Sequence, residues 1–171
     1  MSSMSTSKRI SAVVDNNILM DLWELDRLDL LFNTFENIVI PEIIYTYELL
    51  DEIKTEIIKF DHFLVSIDSV TGYEMYMKLT ENKKYKNLSK SDKIAVSCAK
   101  QEAVFCTSND ALVRKACDEY EIECLGILGV LKRAYEIQII NNSELKSLCG
   151  NLLDTSCFIT KKVIESFLSD V

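Results

Sequence analysis

Proline occurs once in the 171 residues, glycine four times, and histidine and tryptophan once each. So few breakers exclude a loop-rich or low-complexity chain and imply short connections between abundant regular elements. The lone histidine, His62, cannot by itself anchor a histidine-based metal centre or a catalytic triad. No apolar run approaches the ~20 residues of a membrane span. The N-terminus lacks the apolar core of a secretory signal, so no membrane and a cytoplasmic location are expected. The glycosylation-type triplets at Asn87 and Asn141 are then chance matches. C-x-x-C spacing is missing as well. Cys98, Cys106, Cys117, Cys124, Cys149 and Cys157 all lie in the second half, several in apolar runs. They read as free, hydrophobe-like thiols rather than as a zinc site or disulfide framework.

What is present is an ordinary globular balance, 48% hydrophobic and 27% charged, in a length that suits one domain. Residues 1–9, MSSMSTSKR, are polar and Ser-rich and are expected to be a flexible N-terminus, leaving 10–171 as the folded domain. The net charge of −8 argues against an indiscriminate nucleic-acid binder. One local exception stands out: KKYKNLSKSDK, residues 83–93, carries five lysines and one acid.

Apolar periodicity organises the chain. A β-branched run ends at Asp15, and helical spacing follows through Phe35, with Asp29 and Leu30 suggesting two helices there. Residues 37–40 form a strand closed by Pro41, which suits the first turn of a helix, and that helix continues through Phe60. FLVSI (63–67) is a strand and TGYEMYMKLTEN a helix. The lysine-rich stretch is an exposed connection, and SKSDKIAVSCAKQEA is a helix. AVFCT (103–107) is a strand, NDALVRKACDEY a helix and IECLG (122–126) a strand. Two or three helices complete the chain: ILGVLKRAYE, SELKSLC closed by Gly150, and ITKKVIESFLSD. The alternation predicts an α/β fold with a central parallel sheet, helices on both faces and extra C-terminal helices. In such sheets ligands bind beyond the carboxyl ends of the strands, where strand order reverses.

Acids collect where that edge should be. Asp15 ends the first strand, and Thr107-Ser-Asn-Asp110 follows a later one. Glu48 lies on a helix with Glu42, Asp51 and Glu52, and Asp92 sits three residues after Ser89, as in a capping box. Each alone is an ordinary cap or a solvated side chain. Converging, they would repel one another unless a cation lay between them, which points to a hard divalent ion held by oxygens.

In order and spacing, VVDNNILMDL, IVIPEIIYTYELL, LSKSDKIAVSCAK and FCTSNDALVRKA resemble the motifs of PIN-domain nucleases across nearly the whole chain. The later LGILGVLKRA is similar to a subset with a Gly-rich turn and extra C-terminal helices. The resemblance implies a single PIN-like domain and a divalent-metal-dependent endoribonuclease using Mg²⁺ or Mn²⁺. Asp15, Glu48 and Asp92 match the metal-binding acids, and Asn17 and Thr107 the polar residues that orient them. The fourth position falls on Asn109 by counting, with the charged Asp110 adjacent, and both stay candidates, Asp110 as the charged ligand. Glu48 sits one residue further from Pro41 than the family pattern, which keeps Glu42, Asp51 and Glu52 as alternates. The resemblance also suggests the toxin of a toxin–antitoxin pair, a homodimer held inactive by a small antitoxin protein.

For phosphodiester cleavage a divalent cation acidifies water and stabilises developing charge. An acidic pocket needs basic neighbours to accept RNA, and Lys83, Lys84, Lys86, Lys90, Lys93, Arg114 and Lys115 are the candidates, with Tyr85 placed to stack on a base. Competing readings are a PIN-fold binding module with a weakened site, which Asn109 favours, and another Mg²⁺-dependent α/β phosphate-handling protein. Against the latter, a receiver domain could use Asp68 but needs paired acids after its first strand, and a D-x-D phosphatase fails because Asn17 replaces the second Asp.

Overall fold

The computed structural model describes residues 10–171, so the expectation for residues 1–9 lies outside the described residues. β1 (Ala12–Val14) leads into α1 (Asn16–Glu24) and α2 (Leu28–Thr34), then β2 (Ile38–Pro41), α3 (Glu42–Tyr47) and α4 (Asp51–Ile57). β3 (Phe63–Val65), α5 (Val70–Glu81), a 3-10 turn at Lys83–Tyr85 and α6 (Lys90–Glu102) follow. β4 (Phe105–Thr107), α7 (Ala111–Glu119), β5 (Cys124–Leu125), α8 (Ile127–Glu136), α9 (Asn142–Asn151) and α10 (Lys161–Ser169) complete the order.

The five strands form one all-parallel sheet in the order β3-β2-β1-β4-β5. From β1 the chain steps outward twice on one side, then crosses over β1 and β2 to start β4 on the other. Strand order therefore reverses between β1 and β4, the place where an α/β sheet opens a crevice at its carboxyl edge. α6 packs across β1, β2 and β4, and α7 against β5, while α2 packs on α8. β1 is buried at all three residues, and Val13, Ile40 and Cys106 are fully enclosed, as expected for strands covered on both faces.

Several boundaries differ from those read off the sequence, each for a local reason. The helix expected from Pro41 to Phe60 is broken at Glu48–Leu50. Both Glu48 N–H and Leu49 N–H donate to the Ile44 carbonyl at 3.0 Å. One extra residue is thereby looped into the last turn of α3, and Leu50 turns extended before α4 begins. β4 starts at Phe105 rather than at Ala103 because Ala103 takes a left-handed conformation, φ 53°, that closes α6. Gly150 does not end α9, which runs on to Asn151. The lysine-rich connection is not wholly exposed, since Tyr85 and Leu88 anchor it in the core. No helix among the described residues is long and apolar enough to cross a membrane.

Candidate functional site

Asp15 stands where β1 ends and α1 begins, and it serves both. Its backbone N–H donates to the Thr107 carbonyl at 3.1 Å, extending the β1–β4 ladder. Its carboxylate accepts from Asn16 N–H at 2.8 Å, capping α1. The other carboxylate oxygen accepts from Ser108 Oγ at 2.7 Å and from Asn17 Nδ2 at 3.1 Å. The residue is only 5% exposed. Its pKa is raised from 3.8 to about 6. Burial is the main cause; the Ser108 bond opposes it, the Asp92 carboxylate adds to it, the Asn16 N–H opposes it, and the Glu48 carboxylate adds again.

Two more acids therefore face Asp15 from separate elements. Asp92 lies in the first turn of α6 and completes a capping box: its carboxylate accepts from Ser89 N–H at 2.8 Å while Ser89 Oγ accepts from Asp92 N–H at 3.1 Å. Glu48 is exposed at the end of α3 and accepts a hydrogen bond from Ser91 Oγ. Ser91 thus ties the α3 end to the α6 start. The widened turn at Glu48 accommodates the one-residue offset from Pro41. The alternates are occupied elsewhere or exposed: Glu42 accepts from Ser66 Oγ at 2.7 Å, Asp51 faces Lys54, and Glu52 is exposed.

At the end of β4 the assignment shifts by a residue or two. Thr107 Oγ1 donates to the Val13 carbonyl at 3.3 Å, clipping β4 to β1, and it is Ser108 that holds the Asp15 carboxylate. Asn109 points elsewhere. Its Nδ2 donates to Asp21 of α1, its Oδ1 accepts from Ile127 N–H at 2.8 Å, and its own N–H donates to Asn17 Oδ1 at 3.1 Å. It braces α1 against the start of α8, where glycine at 126 leaves the room: a Cβ there would stand 3.2 Å from Asn109 Oδ1. Asp110 is the N-cap of α7, accepting from Leu112 N–H at 2.8 Å and Val113 N–H at 2.9 Å. Neither member of the Asn109/Asp110 pair directs its side chain at Asp15.

Residues 11–171 match the model of a family described as a PIN domain. The chain belongs to the PIN-domain family. No curated protein matches it. A PIN domain is a nuclease-type fold, and Asp15 stands at the carboxyl end of its β1.

Three residues of this PIN domain were not picked out from the sequence: Ser108, Ser91 and Asp21. Asp21 had a signal, because a carboxylate four residues after Asn17 interrupts the apolar face of Ile18 and Leu22. It is buried, and burial raises its pKa while Cys157 and Asn109 donate to it. The basic residues fall into groups. Lys83, Lys84, Lys86 and Lys90 are exposed and Lys93 is half-buried, with Lys84 held 3.3 Å from Glu119 on α7. Arg114 and Lys115 are exposed on α7, Arg114 reaching toward Gly126 and the end of β5. The expected stacking role of Tyr85 is overturned. Its ring is fully buried against Tyr120 and its hydroxyl donates to Glu119, so it pins the lysine segment to α7 and offers no face to a base.

Proposed function

We propose that this PIN domain is a divalent-metal-dependent endoribonuclease, with Asp15, Glu48 and Asp92 as its ion-holding carboxylates. The observation that carries the reading is the electrostatics of Asp15: a carboxylate whose pKa is raised mainly by its burial and further by the Asp92 and Glu48 carboxylates. A cation at this edge offsets that repulsion. The donor set suits a hard ion such as Mg²⁺ or Mn²⁺, since every side chain offered is an oxygen ligand. Spacing narrows the mode of binding. Among the described residues the only group of three metal-type ligands drawn within 4.8 Å is made of cysteines, so the carboxylates are spread more widely. Mg²⁺ usually keeps several waters, and wide spacing suits carboxylates that act partly through them.

When bound, the ion would polarise the phosphodiester and acidify the attacking water. The chain's own residues supply the rest. Ser108 and Asn17 fix the Asp15 carboxylate, Ser91 fixes Glu48, and the start of α6 presents Asp92 with Lys90 and Lys93 beside it. Asn109 and Asp110 support the turn structurally. The exposed lysines at 83, 84, 86 and 90 and the half-buried Lys93, with Arg114 and Lys115, hold the RNA backbone against the acidic pocket. Six unpaired cysteines suit a reducing cytoplasm. The toxin role, with a small antitoxin and a homodimer, follows from the family resemblance; the open edge strand β3, with Phe63 and Leu64 exposed, is a face on which such partners could close.

The second reading, a PIN-fold binding module with a weakened site, is favoured by Asn109, which puts no charge at the fourth position and turns toward Asp21. One assay separates the two. Single-stranded RNA incubated with the protein in Mg²⁺ or Mn²⁺ should be cut, chelator should stop cleavage, and Asp15→Asn should abolish it. Equal cleavage by wild type and Asp15→Asn rejects the mechanism. Absence of cleavage together with retained RNA binding supports the module.

A further inference from the structure

Cys106, Cys117 and Cys124 stand 11 and 7 residues apart in the chain, a spacing that suggests no shared site. Folding brings them together. Cys106 and Cys124 are register partners on the neighbouring strands β4 and β5, and Cys117 comes down from α7, which packs on β5. The three sulfurs all lie within 4.8 Å of one another, and none is in a disulfide. We propose that these three cysteines form a thiolate site for a thiophilic cation of the zinc and cadmium class, separate from the acidic edge.

Size, access and charge support this site. With metal–sulfur bonds of ~2.3 Å, sulfurs around a tetrahedral ion lie ~3.8 Å apart, so the observed cluster needs only a small contraction. Cys106 and Cys117 are buried, but Cys124 is half-exposed and lines a cavity of about 460 Å³. Asp118, Glu121 and Glu123 line the same cavity, giving it an acidic mouth that attracts cations. Arg114 also lines it and offsets the excess negative charge of three thiolates on a divalent ion. Each thiol gives up its proton as its metal–sulfur bond forms. Binding is then ligand exchange: thiol protons leave to solvent and three metal–sulfur bonds form. Packing alone would explain small thiols in a core, but it does not explain why three converge with one of them, Cys124, in the wall of an acidic cavity.

The consequence is mechanical. A bound ion would join β4, α7 and β5, the elements on either side of the turn that carries Ser108. Ser108 N–H already donates to the Leu125 carbonyl at 2.9 Å, so the thiol site and the Asp15 support share one backbone connection.

Cadmium titration of the reduced full-length protein, read by thiolate-to-metal charge-transfer absorption in the ultraviolet, tests the proposal. The expected result is one equivalent per chain, with affinity at least about tenfold weaker in Cys124→Ser and in Cys117→Ser and unchanged in Cys149→Ser. Asp15→Asn should leave the signal intact, which separates this site from the nuclease reading. Folded wild type that shows no charge-transfer band overturns the proposal, as does a band that survives Cys124→Ser. Should Cys117→Ser fail to fold, the half-exposed Cys124 position decides alone.

Discussion

Asp15 does two things that pull against each other, and its titration exposes the conflict. Its carboxyl is raised from 3.8 to about 6 in the folded protein. The folded state therefore binds the proton more tightly than the unfolded chain. Ionising the group destabilises the fold, so stability is highest below about pH 4 for this residue and falls as pH rises toward 6. The size is on the order of 3 kcal/mol before relaxation. Asp15→Asn keeps the acceptor oxygen for Ser108 and removes the charge. In metal-free buffer, urea unfolding should show the mutant gaining stability over wild type between pH 4 and 7, by about 1–3 kcal/mol. A mutant advantage that does not change with pH would mean that the Asp15 pKa is not raised by folding. The acid itself was legible in the sequence, because a carboxylate at the end of a buried β-branched run is conspicuous. Its partner Ser108 was not, because a serine between a threonine and an asparagine in a turn gives no sign of which hydroxyl points inward. Tyr85 failed in the opposite direction: five neighbouring lysines made it look solvent-facing, while its ring fills the core.

At the scale of elements, the β4–α7 turn determines how much of the site can be rebuilt. Asn109 bonds to α1, to α8 and to Asn17, whereas Asp110 caps only its own helix. Asp110→Ala should cost a helix cap, about 1 kcal/mol. Asn109→Ala leaves Asp21 buried without that donor and Ile127 N–H without its acceptor, and should cost about 2–4 kcal/mol. Asn109→Asp, which counting along the family pattern would suggest as an improvement, sets a second carboxylate against Asp21 and should lower the thermal midpoint at neutral pH. Midpoints ranked in any order other than wild type, Asp110→Ala, then the two Asn109 variants would remove Asn109 as a brace. The strand–helix alternation was readable because apolar periodicity records burial directly. The break after α3 was less so, although it left a trace. Buried Ile44, Leu49, Ile53 and Ile57 are spaced by five, four and four residues, and the five marks the widened turn that brings Glu48 to Ser91. The thiol cluster was illegible for a different reason. Its ligands come from two strands and a helix, so their spacing follows the topology and no local motif.

For the molecule as a whole, the reversal of strand order between β1 and β4 places repelling acids at one end of a protein whose net charge is already −8. On the proposed reading RNA would approach against that field, so binding should depend on the lysine segment and on salt. Replacing Lys90 and Lys93 with glutamine should weaken RNA binding and reduce the slope of log affinity against log salt by about one for each phosphate no longer neutralised. Unchanged slopes in both would move the RNA path away from α6.

A divalent ion acts on the same imbalance from inside the fold. Mg²⁺ favours oxygen and shuns thiols, so it reports on the acidic edge without engaging the cysteines. Binding only the folded state, it stabilises by RT ln(1 + [L]/Kd), about 2.7 kcal/mol at a concentration one hundred times Kd. It also favours ionised Asp15, so the loss of stability between pH 4 and 6 seen in metal-free buffer should shrink or reverse when Mg²⁺ is present. Asp15→Asn should show neither effect, while Cys124→Ser should show both. Thermal unfolding of the three proteins at pH 5 and pH 7.5, with and without Mg²⁺, measures this. A Mg²⁺-dependent rise of equal size in wild type and Asp15→Asn would show that the ion acts elsewhere, and the proposed nuclease centre would lose its chemical basis.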